Sequence, residues 1–404
     1  MHILLIHQAF VSLEEPGGTR HYEMAHFLAE RGHTVTVIAS TVSYLTGTVN
    51  KTARGIQQGG PGERITIIRT YTYSAIHRSF VHRIFSFFSF MISSFIAGLR
   101  VKDVDLVWGT SPPIFQAITA WALARLKRVP FLFEVRDLWP AFAIDVGVLR
   151  NPILIRVSLW LEHFLYLHAD TVVVNSPGFI EHVKERGAQQ VKLVPNGSDP
   201  RMFDPQDRGE GFRREFGLQG KYVALYAGAH GMSNDLGILL EAAEQLQEYP
   251  DIAIVLLGDG KEKPALQEQM AKLGLNNVTF LPPVPKTRIP EAFAAADTCI
   301  AILKPIPLYA TVYPNKVFDY MAAGRPVILA IDGVIRDIVE EADAGLFVTP
   351  GNPAALAEAI RTLAENPERG DEMGRNGRKL VEAQFDRAIL AEKLTHLMAE
   401  LLDD

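Results

Sequence analysis

The chain has 404 residues, 48% hydrophobic and 21% charged, with a formal net charge of −6. That length exceeds one ordinary core and suits two domains of roughly 150–200 residues each, and the acidic balance gives no electrostatic ground for a nucleic-acid partner. The single cysteine, Cys299, forms no internal disulfide; its apolar surroundings, Thr298-Cys-Ile-Ala-Ile302, read as buried core and fit a reducing, cytoplasmic compartment.

Met1-His-Ile-Leu-Leu-Ile6 lacks a basic n-region and a cleavage site, so it is predicted to be a first strand rather than a signal peptide. Further β-rich apolar runs predict strands at Thr34–Ala39, Ile65–Arg69, Asp105–Trp108, Phe131–Val135, Thr171–Val174 and Val191–Val194. A second series follows at Tyr222–Ala227, Ile252–Leu257, Val278–Leu281, Thr298–Ile302, Val327–Ala330 and Leu346–Val348. Continuous runs such as Ile252-Ala-Ile-Val-Leu-Leu257 suit strands covered on both faces, hence parallel sheets flanked by helices. The βαβ rhythm occurs twice, which predicts an α/β protein of two doubly wound domains. The segments Pro195-Asn-Gly-Ser-Asp-Pro200 and Asp204–Gly211, rich in Pro, Gly and polar residues, read as the hinge. The expected domains are therefore 1–198 and 199–384. A final amphipathic helix is expected within 385–404, where Ile389, Leu390, Leu394, Leu397, Met398 and Leu401 recur at helical spacing.

In open α/β sheets ligands bind outside the carboxyl ends of the strands, and two such domains facing each other would form a cleft. The polar turns after the strands are the candidates. In chain order, Glu14-Glu-Pro-Gly-Gly-Thr-Arg-His21 offers Gly17 and Gly18, which allow close backbone approach to a phosphate or sugar. The spacing is not the G-x-G-x-x-G fingerprint of dinucleotide binding, which speaks against a nicotinamide enzyme. The region Ile76–Arg100 begins basic and aromatic, and Ile84–Leu99 carries no charge, with serines at 86, 89, 93 and 94. It suits either a buried helix or one lying in a membrane interface. Asp103-Val-Asp105 resembles a D-x-D metal motif but precedes its strand, so it reads as a strand-entry turn. Phe131-Leu-Phe-Glu-Val-Arg-Asp-Leu-Trp-Pro140 runs a strand into Glu134, Arg136 and Asp137 at the ligand-binding end. Asp137 is a candidate to face an acceptor hydroxyl and Arg136 a phosphate, with a structural Arg–Asp pair as the alternative.

In the second half, Tyr226-Ala-Gly-Ala-His-Gly-Met-Ser-Asn-Asp235 has the small residues of a phosphate-facing turn, including Gly228, and His230 can donate a hydrogen bond. The turns Leu256–Lys263 and Leu281-Pro-Pro-Val-Pro-Lys286 can line a base pocket through main-chain groups. The richest stretch is Tyr313-Pro-Asn-Lys-Val-Phe-Asp-Tyr-Met-Ala-Ala-Gly-Arg-Pro-Val327. It places Lys316 and Asp319 on one helix face beside a helix N-terminus, which attracts phosphate through free N–H groups and the dipole. Positive charge for a diphosphate and a carboxylate for ribose hydroxyls is equipment for a nucleotide.

These motifs together resemble the retaining glycosyltransferases of the GT-B fold, family 4, in the branch that builds bacterial surface polysaccharides. The likeness runs through Gly17-Gly18, Glu134-Val-Arg-Asp-Leu-Trp-Pro140, Val194-Pro-Asn-Gly197, Gly258-Asp-Gly260, Pro314-Asn-Lys316 and Asp319-Tyr-Met-Ala-Ala-Gly324. It implies a GT-B architecture, two Rossmann-like domains facing a cleft, with the nucleotide-sugar held mainly by the C-terminal domain and the last helix returning to the N-terminal one. It implies that Asp319 holds the ribose, and that Asn315, Lys316 and nearby backbone hold the diphosphate. The base would lie against the turn containing Val284 and Pro285, with Gly18 on the phosphate from the other domain. The sequence departs from the family pattern in four places. Thr311 stands where a sugar-binding glutamate is usual, Ala229 and Asp235 fall near an expected arginine and lysine, and Arg136 stands in place of a histidine.

The expected activity is transfer of a sugar, a UDP-linked N-acetylhexosamine or deoxy relative, to a hydroxyl acceptor with retained stereochemistry. Lys316 would stabilise the leaving diphosphate, and no metal or other cofactor is expected. The acceptor would be a lipid-linked saccharide met at the inner face of the cytoplasmic membrane, with 76–100 as the contact. A UDP-N-acetylglucosamine 2-epimerase and a non-catalytic nucleotide-sugar-binding protein are the alternatives.

Overall fold

The structure, a computed structural model, describes residues 1–12, 17–42, 49, 55–74 and 80–403. Residues 14–16 of the glycine loop and 76–79 of the basic-aromatic segment lie outside the described residues. The chain forms two compact units, Met1–Pro195 with Ala388–Asp404, and Asn196–Arg387. The division falls inside Pro195–Pro200, and Asp204–Gly211 belongs to the second unit.

The first unit contains β1 (His2–Ile6), β2 (Thr34–Ser40), β3 (Gly55–Gly59), β4 (Ile65–Thr70), β5 (Leu106–Ser111), β6 (Phe131–Val135), β7 (Thr171–Val174) and β8 (Val191–Leu193). They form one sheet in the order β3-β4-β2-β1-β5-β6-β7-β8. Every pairing is parallel except β3 with β4. β3 escapes sequence prediction because it reads Gly-Ile-Gln-Gln-Gly and lies on an exposed edge. Its order comes from its hairpin partner, not from an apolar face. The strand predicted at Asp105–Trp108 runs on to Ser111, carrying polar Thr110 and Ser111 buried to the strand's carboxyl end.

One side of this sheet is covered by the helix Arg20–Glu30 and the chain's last helix, Arg387–Asp403. Leu390, Leu394 and Met398 pack with Ile3, Leu5, Met24, Leu28, Val35 and Val37 in one core. The helices Phe80–Arg100, Phe115–Lys127 and Pro152–His168 form a second layer, the middle one touching both others. Phe80–Arg100 is not a buried core helix. Phe85, Phe88, Ile92, Ile96 and Leu99 are all exposed. By length and composition alone, its residues His82–Arg100 could also cross a membrane.

The second unit contains β9 (Tyr222–Ala227), β10 (Ile252–Leu257), β11 (Val278–Leu281), β12 (Thr298–Ile302), β13 (Val327–Ala330) and β14 (Gly345–Phe347). Its order is β11-β10-β9-β12-β13-β14, parallel throughout. Side chains alternate between two cores, Val255 and Leu257 on one side and Ile254 and Leu256 on the other. Cys299 is fully buried on β12, and burial pushes its thiol pKa up, so it stays protonated.

Both sheets therefore start at a central strand, build outward, then return to build on the other side. The strand order reverses between β1 and β5 in one unit and between β9 and β12 in the other. Such a reversal leaves a crevice at the carboxyl ends, since the flanking helices depart to opposite faces.

Candidate active site

In the second unit the turn after β9 is tightly tied. The Gly228 amide donates to Leu257 O (2.9 Å) and the His230 amide to Asp259 O (2.8 Å), while Glu262 N donates to His230 O (3.0 Å). Those two amides are thus committed, and Gly228 acts by leaving room. It has φ +151°, and a Cβ there would lie 2.8 Å from Lys316 Nζ. Gly258 and Gly260 repeat the device, since a Cβ would meet Gly228 O at 1.9 Å or His230 O at 2.4 Å. The three glycines let two loops and one lysine share a space that side chains would fill.

Lys316 fills it. The helix Asn315–Ala322 begins after Pro314, with no side chain capping its N-terminus. Lys316 projects over Tyr226, Nζ 4.1 Å from the ring centroid. Burial, uncompensated by any carboxylate among the described residues, pushes its pKa down to about 7. His230 is sealed from solvent with neither ring nitrogen hydrogen-bonded among the described residues. Burial, then the nearby Lys263 charge, lowers it to about 4. It is neutral at ordinary pH and presents one N–H donor.

Asp319 lies one helical turn on. Its carboxylate accepts from Ser198 Oγ (2.6 Å), Lys286 Nζ (2.6 Å) and, weakly, Asn315 Nδ2 (3.4 Å). The Lys286–Asp319 ion pair is almost wholly buried. Asn315 also accepts from Arg387 Nη2 (3.2 Å), so its side chain is an internal strut, and its contribution to a diphosphate would be through the main chain. Val284 packs on the unit's core beside Pro285, half-buried as well. Thr311 donates to Leu308 O (2.7 Å) within its own turn.

The first unit gathers its polar residues at the ends of β1, β5 and β6. His7, directly after β1, is buried, and burial, then His21 and Arg136, lower its pKa well below 6.5. Arg136 donates to Thr110 Oγ1 (3.1 Å), Ser111 O (3.1 Å) and His7 Nε2 (3.2 Å). A ring nitrogen facing a guanidinium must accept, which leaves the His7 proton on Nδ1. Asp137 Oδ1 is buried without a hydrogen-bond partner among the described residues, and burial raises its pKa to about 6 despite Arg136. Gly17 and Gly18 are exposed just before the helix Arg20–Glu30.

Glu134, at the same strand end, is committed inside the unit. It is fully buried and receives Arg20 Nε (2.9 Å) and His21 Nε2 (2.6 Å). Burial alone would raise its pKa, but His21 and Arg20 outweigh that and hold it ionised. Arg20 also donates to Pro195 O (2.9 Å) and Val194 O (3.0 Å), tying the helix start to the end of the unit. His7, Arg20, His21, Ser198 and Lys286 were not singled out from sequence. The only available signal was position, since His7 follows a strand directly and Arg20-His21 opens a helix. Among the described residues no group of His, Cys, Asp and Glu is placed to hold a metal ion, Asp103 and Asp105 included.

A family model described as glycosyl transferase 4-like domain matches residues 17–197, and one described as glycosyl transferases group 1 matches 210–380. The chain belongs to this glycosyltransferase family. The family chain is 30% identical over 226 residues to the D-inositol 3-phosphate glycosyltransferase of Nocardia farcinica, covering 53% of this chain and 49% of that one. It is 23% identical to a putative colanic acid biosynthesis glycosyl transferase of Escherichia coli, covering 77% and 78%. The fold matches Anabaena HepE, solved with UDP-glucose, at a TM-score of 0.75 and 19% identity, covering 99% and 100%. The chain spans about half the length of several of the curated relatives it matches, 49–59% for three of them. The two Rossmann-like units thus have the GT-B fold of these structures, and the family matches do not favour the 2-epimerase alternative.

Proposed function

We propose that this glycosyltransferase moves a sugar from a nucleotide diphosphate donor to a hydroxyl acceptor with retention at the anomeric carbon. The donor is a UDP-linked N-acetylhexosamine or a deoxy relative. The acceptor is a lipid-linked saccharide at the cytoplasmic membrane's inner face, reached through 76–100. The observation that carries the reading is Lys316, an ammonium held over Tyr226 in space kept open by Gly228. It stands at an uncapped helix N-terminus with Asp319 one turn away. A buried cation without a counter-ion is unfavourable by itself, and a diphosphate supplies the missing charge. Asp319 then receives ribose hydroxyls, and His230 offers an N–H. HepE's UDP-glucose complex supports a UDP-linked donor, and the E. coli relative's description in colanic acid biosynthesis supports the pathway class.

In the reaction the anomeric C–O bond to the diphosphate breaks and the acceptor oxygen bonds to the same face. The acceptor proton passes to a leaving phosphate oxygen, so no protein base is required. Negative charge gathers on the diphosphate, and preorganised donors aimed at it lower the barrier. Lys316→Ala is expected to reduce turnover by ~10²–10³, the effect of removing one such donor. Near-normal turnover by the purified variant would overturn the assignment.

A further inference from the structure

The helix Phe80–Arg100 is apolar on its outer face as well as its inner one, where Phe87 and Phe90 are buried. Ser86 and Ser94 are buried, and Ser89 and Ser93 turn inward to Tyr73 N (2.8 Å) and Tyr71 O (2.6 Å). Its outer face is Phe85 (60% exposed), Phe88, Ile92 (62%), Ile96 and Leu99, a single stripe at steps of three and four. A helix meeting water would carry polar residues on that outer face. The helix Pro152–His168 repeats the pattern with Ile153 (71%), Val157, Trp160 (62%) and Leu167 exposed. The layer between them is continuous, because Trp121 meets Phe164 at 4.9 Å between ring centroids and Phe164 stacks on Trp160 at 5.5 Å. Charge on these three helices is equally one-sided. Their only carboxylate is Glu162, buried and held by His182 and Arg186. Their cations include Arg83, Arg100, Arg125, Lys127 and Arg156, in a chain whose net charge is −6.

We infer that this two-helix face seats on an anionic lipid bilayer, with both apolar stripes in the interface and the arginines and lysines among the headgroups. The exposed apolar surface calls for an apolar medium, and the cationic excess around it, with Asp170 beside Arg125 (4.0 Å) as one acid at its margin, selects an anionic one. A second copy of the chain fits poorly, since an isologous pair would set a cationic excess against itself. Such docking serves the membrane-borne acceptor proposed above and rests on that reading. What it adds is Pro152–His168 as a second, equal anchor.

The test is co-sedimentation of the full chain with phosphatidylcholine vesicles, with and without phosphatidylglycerol. The chain is expected on the phosphatidylglycerol vesicles. Phe88→Ser/Ile92→Asn and Val157→Asn/Trp160→Ser should each lower partitioning roughly tenfold or more, the effect of withdrawing two membrane-buried apolar side chains, with helix content and UDP binding unchanged. Wild-type partitioning by the Val157/Trp160 variant would overturn the second anchor. A concentration-dependent dimer in sedimentation velocity that the same substitutions abolish would overturn the bilayer in favour of a second copy. A chain that binds UDP but no vesicle removes the docking face and leaves sugar transfer standing. Vesicle binding without UDP binding supports the face and counts against the donor assignment.

Discussion

Lys316 is held where its own charge is disfavoured, and that has a consequence in pH. With its pKa pushed down to about 7 by burial, it is largely neutral above pH 7 until an anion arrives. A diphosphate restores the proton, so UDP binding above neutrality must take one up. Affinity for UDP is expected to fall up to about tenfold per pH unit from about pH 7 to 9. Titration calorimetry in buffers of different ionisation enthalpy should show the uptake. Lys316→Arg, which keeps its proton throughout this range, should flatten the dependence, and a pH-independent wild-type affinity would overturn the role. The stability sign is consistent. The unfolded chain holds this proton up to about pH 10.5, so the group's contribution to stability increases as pH rises through the window from about 7 to 10.5. Asp137 works in the opposite sense. Its folded pKa, raised to about 6 by burial, lies above the ordinary 3.8. Ionising it therefore destabilises the fold, and the loss is complete above about pH 6. Asp137→Asn is expected to raise Tm at neutral pH, by on the order of 1–3 kcal/mol of stability, to leave Tm unchanged below about pH 4, and to impair turnover. A neutral-pH Tm no higher than wild type would show that the carboxylate is satisfied in solution.

At the scale of elements, the proposed donor site is two glycine turns and a helix start that fit only because Cβ atoms are missing. Gly228→Ala puts a methyl 2.8 Å from Lys316 Nζ at a φ of +151°, so the ammonium must move. UDP affinity should drop by roughly tenfold or more, the loss of one charge-assisted contact. Gly18→Ala meets nothing within 4 Å and should fold as wild type. Wild-type UDP affinity in Gly228→Ala would show that the turn yields and that Lys316 is not positioned by it. Much of this architecture was legible in the sequence. Parallel strands covered on both faces must be apolar end to end, and each such run was found to within a few residues. The helix carrying Lys316 and Asp319 announced itself by charge spacing next to a proline. What was hidden depends on partners distant in sequence. Nothing in the spacing around Glu134 shows that its carboxylate accepts from Arg20 and His21, more than a hundred residues earlier. Lys286 lies 33 residues before Asp319, and spacing cannot show that the two form an ion pair. The serines of Phe80–Arg100 made that segment ambiguous, because periodicity identifies a stripe without saying which stripe faces the sheet.

At the scale of the molecule, the first unit is completed by the last seventeen residues of the chain, Ala388–Asp404, while the second closes at Arg387. Arg387 itself is buried in the second unit, bound to Gly197 O and Asn315, so the boundary between units runs through the first residue of the final helix. Removing Ala388–Asp404 should therefore act on one unit alone. It strips Leu390, Ala391, Leu394, Leu397 and Met398 from the core formed with β1, β2 and Arg20–Glu30. Those side chains are worth on the order of 5–10 kcal/mol by burial, comparable to the whole stability of a typical domain. The first unit should lose its fold, whereas the second keeps Gly228, His230, Lys286, Lys316 and Asp319 of the proposed donor site. The readouts separate cleanly. All four tryptophans, Trp108, Trp121, Trp139 and Trp160, lie in the first unit. The truncated chain should show red-shifted tryptophan emission and no sugar transfer, yet still bind UDP by calorimetry, with the ligand raising the melting temperature of the remaining transition. Unshifted emission would show that the helix is dispensable to the first unit, and loss of UDP binding would show that the donor site depends on more than the unit that contains it.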